Sequence, residues 1–190
     1  MNRPRGRPAR GQGVTLDAIL DAALSLLDEE GEAALSMRAL AARIEVTPMS
    51  LYHHVADRAA LLVALSGRIY GGVLEGEHDE APPQEALRAL LLRYHEAVGR
   101  HPALTLAIFG EPSAFAGTTV RISQRLEALV STLTQQADLW RDILVDHAHG
   151  SGLALAAARD DAVYADTLRV RYAEALDLLL AALRASGSKH

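Results

Sequence analysis

Eight histidines, five tyrosines and a single tryptophan are the residues of this 190-residue chain best suited to hold a metal or anchor a ligand. Cysteine is absent, which removes disulfides, thiolate nucleophiles and Cys-ligated zinc together. No nucleophile motif, Gly-rich phosphate loop or clustered carboxylate pair is present, so the sequence reads as a non-enzyme without a cofactor. Neighbouring histidines such as His53 and His54 diverge on a helix, and so do His147 and His149. Two readings stand for the others. In one, Tyr94, His95, Phe109, Trp140 and His147 line a ligand pocket with imidazoles as polar anchors. In the other, the histidines are core or rim residues. The alternative function is a helical-bundle metal protein or enzyme built on His95, His101 and His147. Bundle metal sites use Glu-x-x-His spacing, and here Glu96 follows His95 while Asp146 precedes His147.

The elements that must position these groups are helices. Ala and Leu together supply 66 residues, and both are strong helix formers. Aromatic residues make up only 4%, which leaves little to build strands from. Thr15, Ser36, Thr47 (before Pro48) and Asp57 are N-cap signals for four successive helices, expected from Thr15 to Gly31, over Met37–Ile44, from Pro48 to about Val55, and from Asp57 to about Leu74. A polar, Pro-bearing stretch from Gly76 to Gln84 follows. Longer helices are then expected over Gln84–Gly99, Pro102–Phe109, Thr119–Gln135, Asp138–Ala158 and Asp161–Ala185. The last has a broad apolar stripe: Leu168, Tyr172, Leu176, Leu179, Leu180 and Leu183. No stretch reaches the roughly 18–20 apolar residues of a membrane span. The basic N-terminus has no apolar segment behind it, so it is not a secretory signal, and the expected location is cytoplasmic.

The most informative stretch runs from Leu40 to Val55, LAARIEVTPMSLYHHV. It reads as two short helices joined by a tight turn. Ala41 is small where the helices approach, Val46 plugs the turn, and Leu51 and Val55 anchor the second helix. Pro48, Met49, Ser50 and His53 then point away from the core. A helix of about eight residues does not persist alone in water. One mounted with its first turn exposed suits insertion into a DNA groove.

Residues 15–62 resemble the DNA-binding domain of the tetracycline-repressor (TetR) family of bacterial regulators. The resemblance is carried by Ser36, Leu40-Ala41, Val46-Thr47, Leu51-Tyr52, Val55, Asp57-Arg58 and Leu61. Glu45 departs from the family, which usually has Gly in the turn. A positive φ there would cost a non-Gly residue on the order of 1 kcal/mol. The resemblance implies an all-α fold: an N-terminal three-helix helix-turn-helix domain joined to a C-terminal helical ligand-binding and dimerisation bundle. The divisions expected are a basic arm over 1–13, the DNA-binding domain over 14–60 and the regulatory domain over 61–190. The resemblance also implies a recognition helix from Pro48 to Val55. Thr47, Pro48, Met49 and Ser50 would face the major groove, Tyr52 and His54 would lie near the backbone or adjacent bases, and Arg58 would grip a phosphate. His53 is the best-placed polar base contact, and Arg38 and Arg43 are further phosphate candidates. The homodimer the resemblance implies forms through the last two long helices.

The net charge of −5 hides an asymmetry. Arg3, Arg5, Arg7 and Arg10 give residues 1–13 a charge of +4, which leaves −9 for the remainder. Pro4-Arg5-Gly6-Arg7-Pro8 resembles the core of an AT-hook, in which Arg side chains enter a narrow, electronegative minor groove. The expected function is a transcriptional regulator, a repressor released from a palindromic operator by a small molecule.

Overall fold

The computed structural model describes residues 14–75 and 81–187, and all regular structure among them is helical. Four short helices come first: α1 (Leu16–Glu30), α2 (Met37–Arg43), α3 (Pro48–Tyr52) and α4 (Arg58–Tyr70). The body follows as α5 (Pro83–Arg100), α6 (Pro102–Phe109), α7 (Thr118–Ser131), α8 (Ala137–Ala157) and α9 (Ala162–Gly187). Arg5 and Arg7, and the whole arm over 1–13, lie outside the described residues.

The cap signals are realised in the first four helices. Side-chain oxygens of Thr15, Ser36, Thr47 and Asp57 accept from the backbone N–H groups of Ala18, Ala39, Ser50 and Ala60. Each satisfies a donor that the helix start leaves unpaired. Ile19, Ala23, Leu27, Leu40, Leu51 and Leu61 meet in one core, while Leu16 stays exposed. α3 ends at Tyr52 rather than near Val55. His54 and Val55 both bond back to the Leu51 carbonyl, and the chain then opens to let Asp57 cap α4. α4 ends at Tyr70 and passes into a 3-10 turn at Gly71–Val73. One unbroken helix therefore carries the chain from the cap beside α3 into the body.

The turn between α2 and α3 is a Schellman motif. The Val46 N–H reaches Ala41 O at 3.0 Å and the Glu45 N–H reaches Ala42 O at 3.2 Å. The motif needs a left-handed residue at its second-last position, and Glu45 takes it with φ 56°. It is the one non-glycine with positive φ among the described residues.

In the body, α5 and α8 cross at very short range. A Cβ on Gly152 would lie 2.6 Å from Val98 Cγ1, and one on Gly99 would lie 2.7 Å from Leu155 Cδ2. α9 closes the other side with Tyr172, Leu176, Leu180 and Leu183 fully buried. The Tyr172 hydroxyl donates to Leu91 O at 3.2 Å, and Arg88 clasps Asp177 with bonds of 2.6 and 3.1 Å. The broad stripe on the last helix is thus consumed within the chain. A different face of α9, carrying Val163, Val170 and Leu178, is left exposed.

Replacing Glu45 by Gly should remove about 1–2 kcal/mol of left-handed strain and return part of it as unfolded-state entropy. The expected net gain is about 0.5–1 kcal/mol, read from the urea midpoint. A lower midpoint for Glu45→Gly would contradict the strain.

Candidate functional site

With five residues, α3 is far too short to hold its shape alone. Burial of Leu51 fixes its inner side, and Pro48 has no N–H to satisfy at the first position. Thr47 Oγ1 accepts from the Ser50 N–H at 3.3 Å and lies 3.1 Å from Ser50 Oγ. Two hydroxyls expected to read DNA are thus already engaged in the cap. Pro48, Met49 (67% exposed), Tyr52 (47% exposed), His53 and His54 face outward, and Ser50 is half-buried.

The cations near this helix are placed unequally. Arg38 is exposed and has no ion pair among the described residues. Arg43 bridges to Glu29 and Glu30 at the end of α1. Arg58 turns toward the protein: its Nε donates to Leu35 O at 3.1 Å, and a second guanidinium nitrogen lies 3.8 Å from Glu111. A phosphate binding Arg58 has to compete with that carboxylate, and one binding Arg43 with two.

A second site lies inside the body. A cavity of about 470 Å³ opens among α4, α5, α6, α7 and α8, within the usual range for small-molecule sites. Its walls are mainly apolar, with Tyr70, Tyr94, Ile108, Phe109 and Phe115 prominent. Of the five pocket residues expected from sequence, Tyr94 and Phe109 line it. His95, Trp140 and His147 do not. Trp140 Nε1 donates to Ser186 Oγ at 3.1 Å, toward the end of α9. His95 stacks on Tyr172 with ring centres 3.8 Å apart and bonds Ser151 Oγ at 3.1 Å. His147 stacks on the same tyrosine at 5.1 Å. The polar group that sequence reasoning missed is His149, whose Nε2 shares a 2.6 Å hydrogen bond with the Tyr94 hydroxyl and whose ring meets Phe109 edge-on. The signal was available: Asp142, Val145, Asp146 and His149 recur at helical spacing on one face of α8. The face chosen from sequence, with Trp140, Leu144 and His147, packs toward α9 instead.

Burial keeps the tyrosine and histidine rings of this interior uncharged. It pushes the Tyr70 phenol up to about 12, against a 2.7 Å hydrogen bond with Thr105 Oγ1 that lowers it. It raises Tyr94 as well. It lowers His149, with Asp146 partly opposing, and lowers His147. His95 falls to about 4, chiefly through burial. His101 stands apart at the corner between α5 and α6, 3.5 Å from Asp28. Among the described residues no three metal-ligating side chains converge, and His95, His101 and His147 form no common site. The metal-centred alternative has nothing to rest on.

Residues 19–65 match the family profile described as "Bacterial regulatory proteins, tetR family". A similar curated protein is the HTH-type transcriptional repressor DrrR1 of Streptomyces coeruleorubidus, 40% identical over 65 residues, which are 33% of this chain and 24% of DrrR1. The chain's matches span 24% to 58% of the length of its curated relatives. Among solved structures, BioQ of Mycobacterium smegmatis superposes with a TM-score of 0.75 at 23% identity, over 92% of this chain and 99% of BioQ. ActR of Streptomyces coelicolor, solved in complex with actinorhodin, superposes with a TM-score of 0.71 at 22% identity, over 93% and 99%. These likenesses show the fold, a helix-turn-helix region followed by a helical domain.

His95 binds its proton less readily when folded (about 4) than at its ordinary value of 6.5. The unfolded chain therefore holds more protons between those values. Stability is fully present above 6.5 and lost as pH falls toward 4, at up to about 1.4 kcal/mol per pH unit from this group. Urea midpoints at about pH 7 and about pH 5 should differ less in His95→Leu than in the parent. His147, His149 and the lowered carboxyl of Glu96 contribute to the slope that remains. An unchanged difference would show that His95 is not the group responsible.

Proposed function

We propose that the chain belongs to the TetR family of bacterial regulatory proteins and is a DNA-binding repressor released from a palindromic operator by a small molecule. The observation that carries this reading is the display of α3: a five-residue helix held by one buried leucine, with its outer residues uncovered. Met49 offers an apolar contact for a thymine methyl, and His53 a polar contact for a base edge. Thr47, Pro48 and Ser50 would approach the groove with them. Tyr52, His54, Arg38 and Arg58 would contact the backbone, and Arg5 and Arg7 would add minor-groove contacts from the arm. This reading assigns no catalysis and places the protein in the cytoplasm. Among the described residues no helix is long and apolar enough to cross a membrane.

Two recognition helices reading a palindrome require a dimer. The outward face of α9 supports one: Val163 (80% exposed), Val170 and Leu178 (73% exposed) lie along it, and Leu139 and Ile143 of α8 are exposed as well. The route from ligand to DNA runs through α4 and α6. Tyr70 at the end of α4 and Phe109 at the end of α6 both line the cavity. Two residues beyond Phe109, Glu111 faces Arg58 at the start of α4. A ligand that displaces Phe109 shifts this junction, and its effect is limited to its difference in affinity for the two arrangements.

Selection of binding sites from random duplexes by the purified chain should return a palindrome with half-sites about 34–36 Å apart or a multiple of that. An output without enrichment would sink the reading. On the selected site, Arg58→Ala should weaken binding to all sequences alike and reduce its salt dependence. Glu111→Gln, by freeing Arg58, should strengthen binding a few-fold, as read by fluorescence anisotropy. A loss of affinity in Glu111→Gln would contradict competition between Glu111 and phosphate.

A further inference from the structure

We propose that the cavity takes a flat aromatic molecule bearing a protonated amine, and that Asp146 is the group that pairs with the amine. The inference rests on the reading of this cavity as the ligand site and specifies its chemistry.

Four polar groups of the interior are turned to one another. Tyr70 bonds Thr105, and Tyr94 bonds His149. What they leave toward the space is ring surface, and Phe109 and Phe115 extend it. Such walls favour an aromatic body, and their π-faces attract a cation.

Charge at the cavity decides the rest. Its lining includes one permanent cation, Arg141, and two acids, Asp142 and Asp146. Arg141 is fully committed: it bonds Glu127 at 3.0 Å and Asp142 at 2.9 Å, with Asp138 at 3.9 Å. His149 is kept neutral by burial. Asp146 has no ion pair among the described residues. It stands on the cavity face of α8, on the same side as His149. A carboxylate or phosphate ligand would meet Asp146 and find no free cation on the walls. An amine would meet an unpaired carboxylate, and charge-assisted hydrogen bonds are the strong ones.

Three tricyclic probes of one shape test this near neutral pH: 9-aminoacridine (cationic), acridine (neutral) and acridine-9-carboxylate (anionic). Binding to the full-length chain is followed by probe fluorescence. The cation should bind about tenfold more tightly than acridine, an intermediate value for a partly exposed ion pair, and the anion most weakly. Asp146→Asn should remove most of the cation's advantage and leave the Kd of acridine unchanged. Ser123→Trp, which fills the cavity, should abolish binding of both. Equal binding of all three probes, or an undiminished cation preference in Asp146→Asn, overturns the charge inference while the cavity stands as a ligand site. Cation binding that survives Ser123→Trp lies elsewhere and overturns the proposal. Binding by none of the probes overturns both readings.

Discussion

The body depends on the close crossing of α5 and α8. Val98 occupies the space a side chain at position 152 would need, and Leu155 does the same for position 99. Only glycine at both positions lets the two backbones approach this far. The rest of the body takes its register from that contact. On one side of the crossing, Tyr94 of α5 meets His149 of α8 and a wall of the cavity forms. On the other, His95 meets Ser151, and the ring of Tyr172 from α9 stacks on His95 and His147. Interiors this dense do not deform smoothly.

The same tight packing sets the electrical character of the interior. Desolvation favours the neutral form of every titratable ring it covers: tyrosines are raised and histidines lowered. Charges are kept at the edge. Arg141 gathers acids around itself, and Arg88 and Arg169 tie α5 to α9 through Asp177 and Glu96. These exposed pairs each contribute little stability. Their arrangement nonetheless determines what charge an incoming molecule meets.

At the other end of the molecule the shortage is of cations. Of the three arginines between residues 14 and 60, two are already paired with acids. α3 itself carries no lysine or arginine. On the proposed DNA-binding role, the +4 of residues 1–13 therefore matters more to phosphate neutralisation than the whole-chain charge of −5 suggests. The acidic remainder disfavours loose, unoriented binding to DNA.

Much of this was legible in the sequence. Caps, helix periods and the left-handed residue at Glu45 are local: they follow from bonding and sterics within a few residues. Leu51 as anchor and Met49 as exposed follow from the same short-range pattern. Which face of α8 lines a cavity is not local. His147 and His149 are two residues apart and both flank apolar positions, so periodicity cannot say which neighbour each will meet. Nor can a sequence show that Arg58 will find Glu111, 53 residues away, or that the stripe on α9 will be spent inside the chain. Sequence determined the helices, the capped starts of the first four and the displayed turn, because those are set by nearest neighbours. Tertiary structure alone decided the cavity, the neutrality of its buried rings and the commitment of Arg141, because these depend on which distant surfaces the close crossing of α5 and α8 brings together.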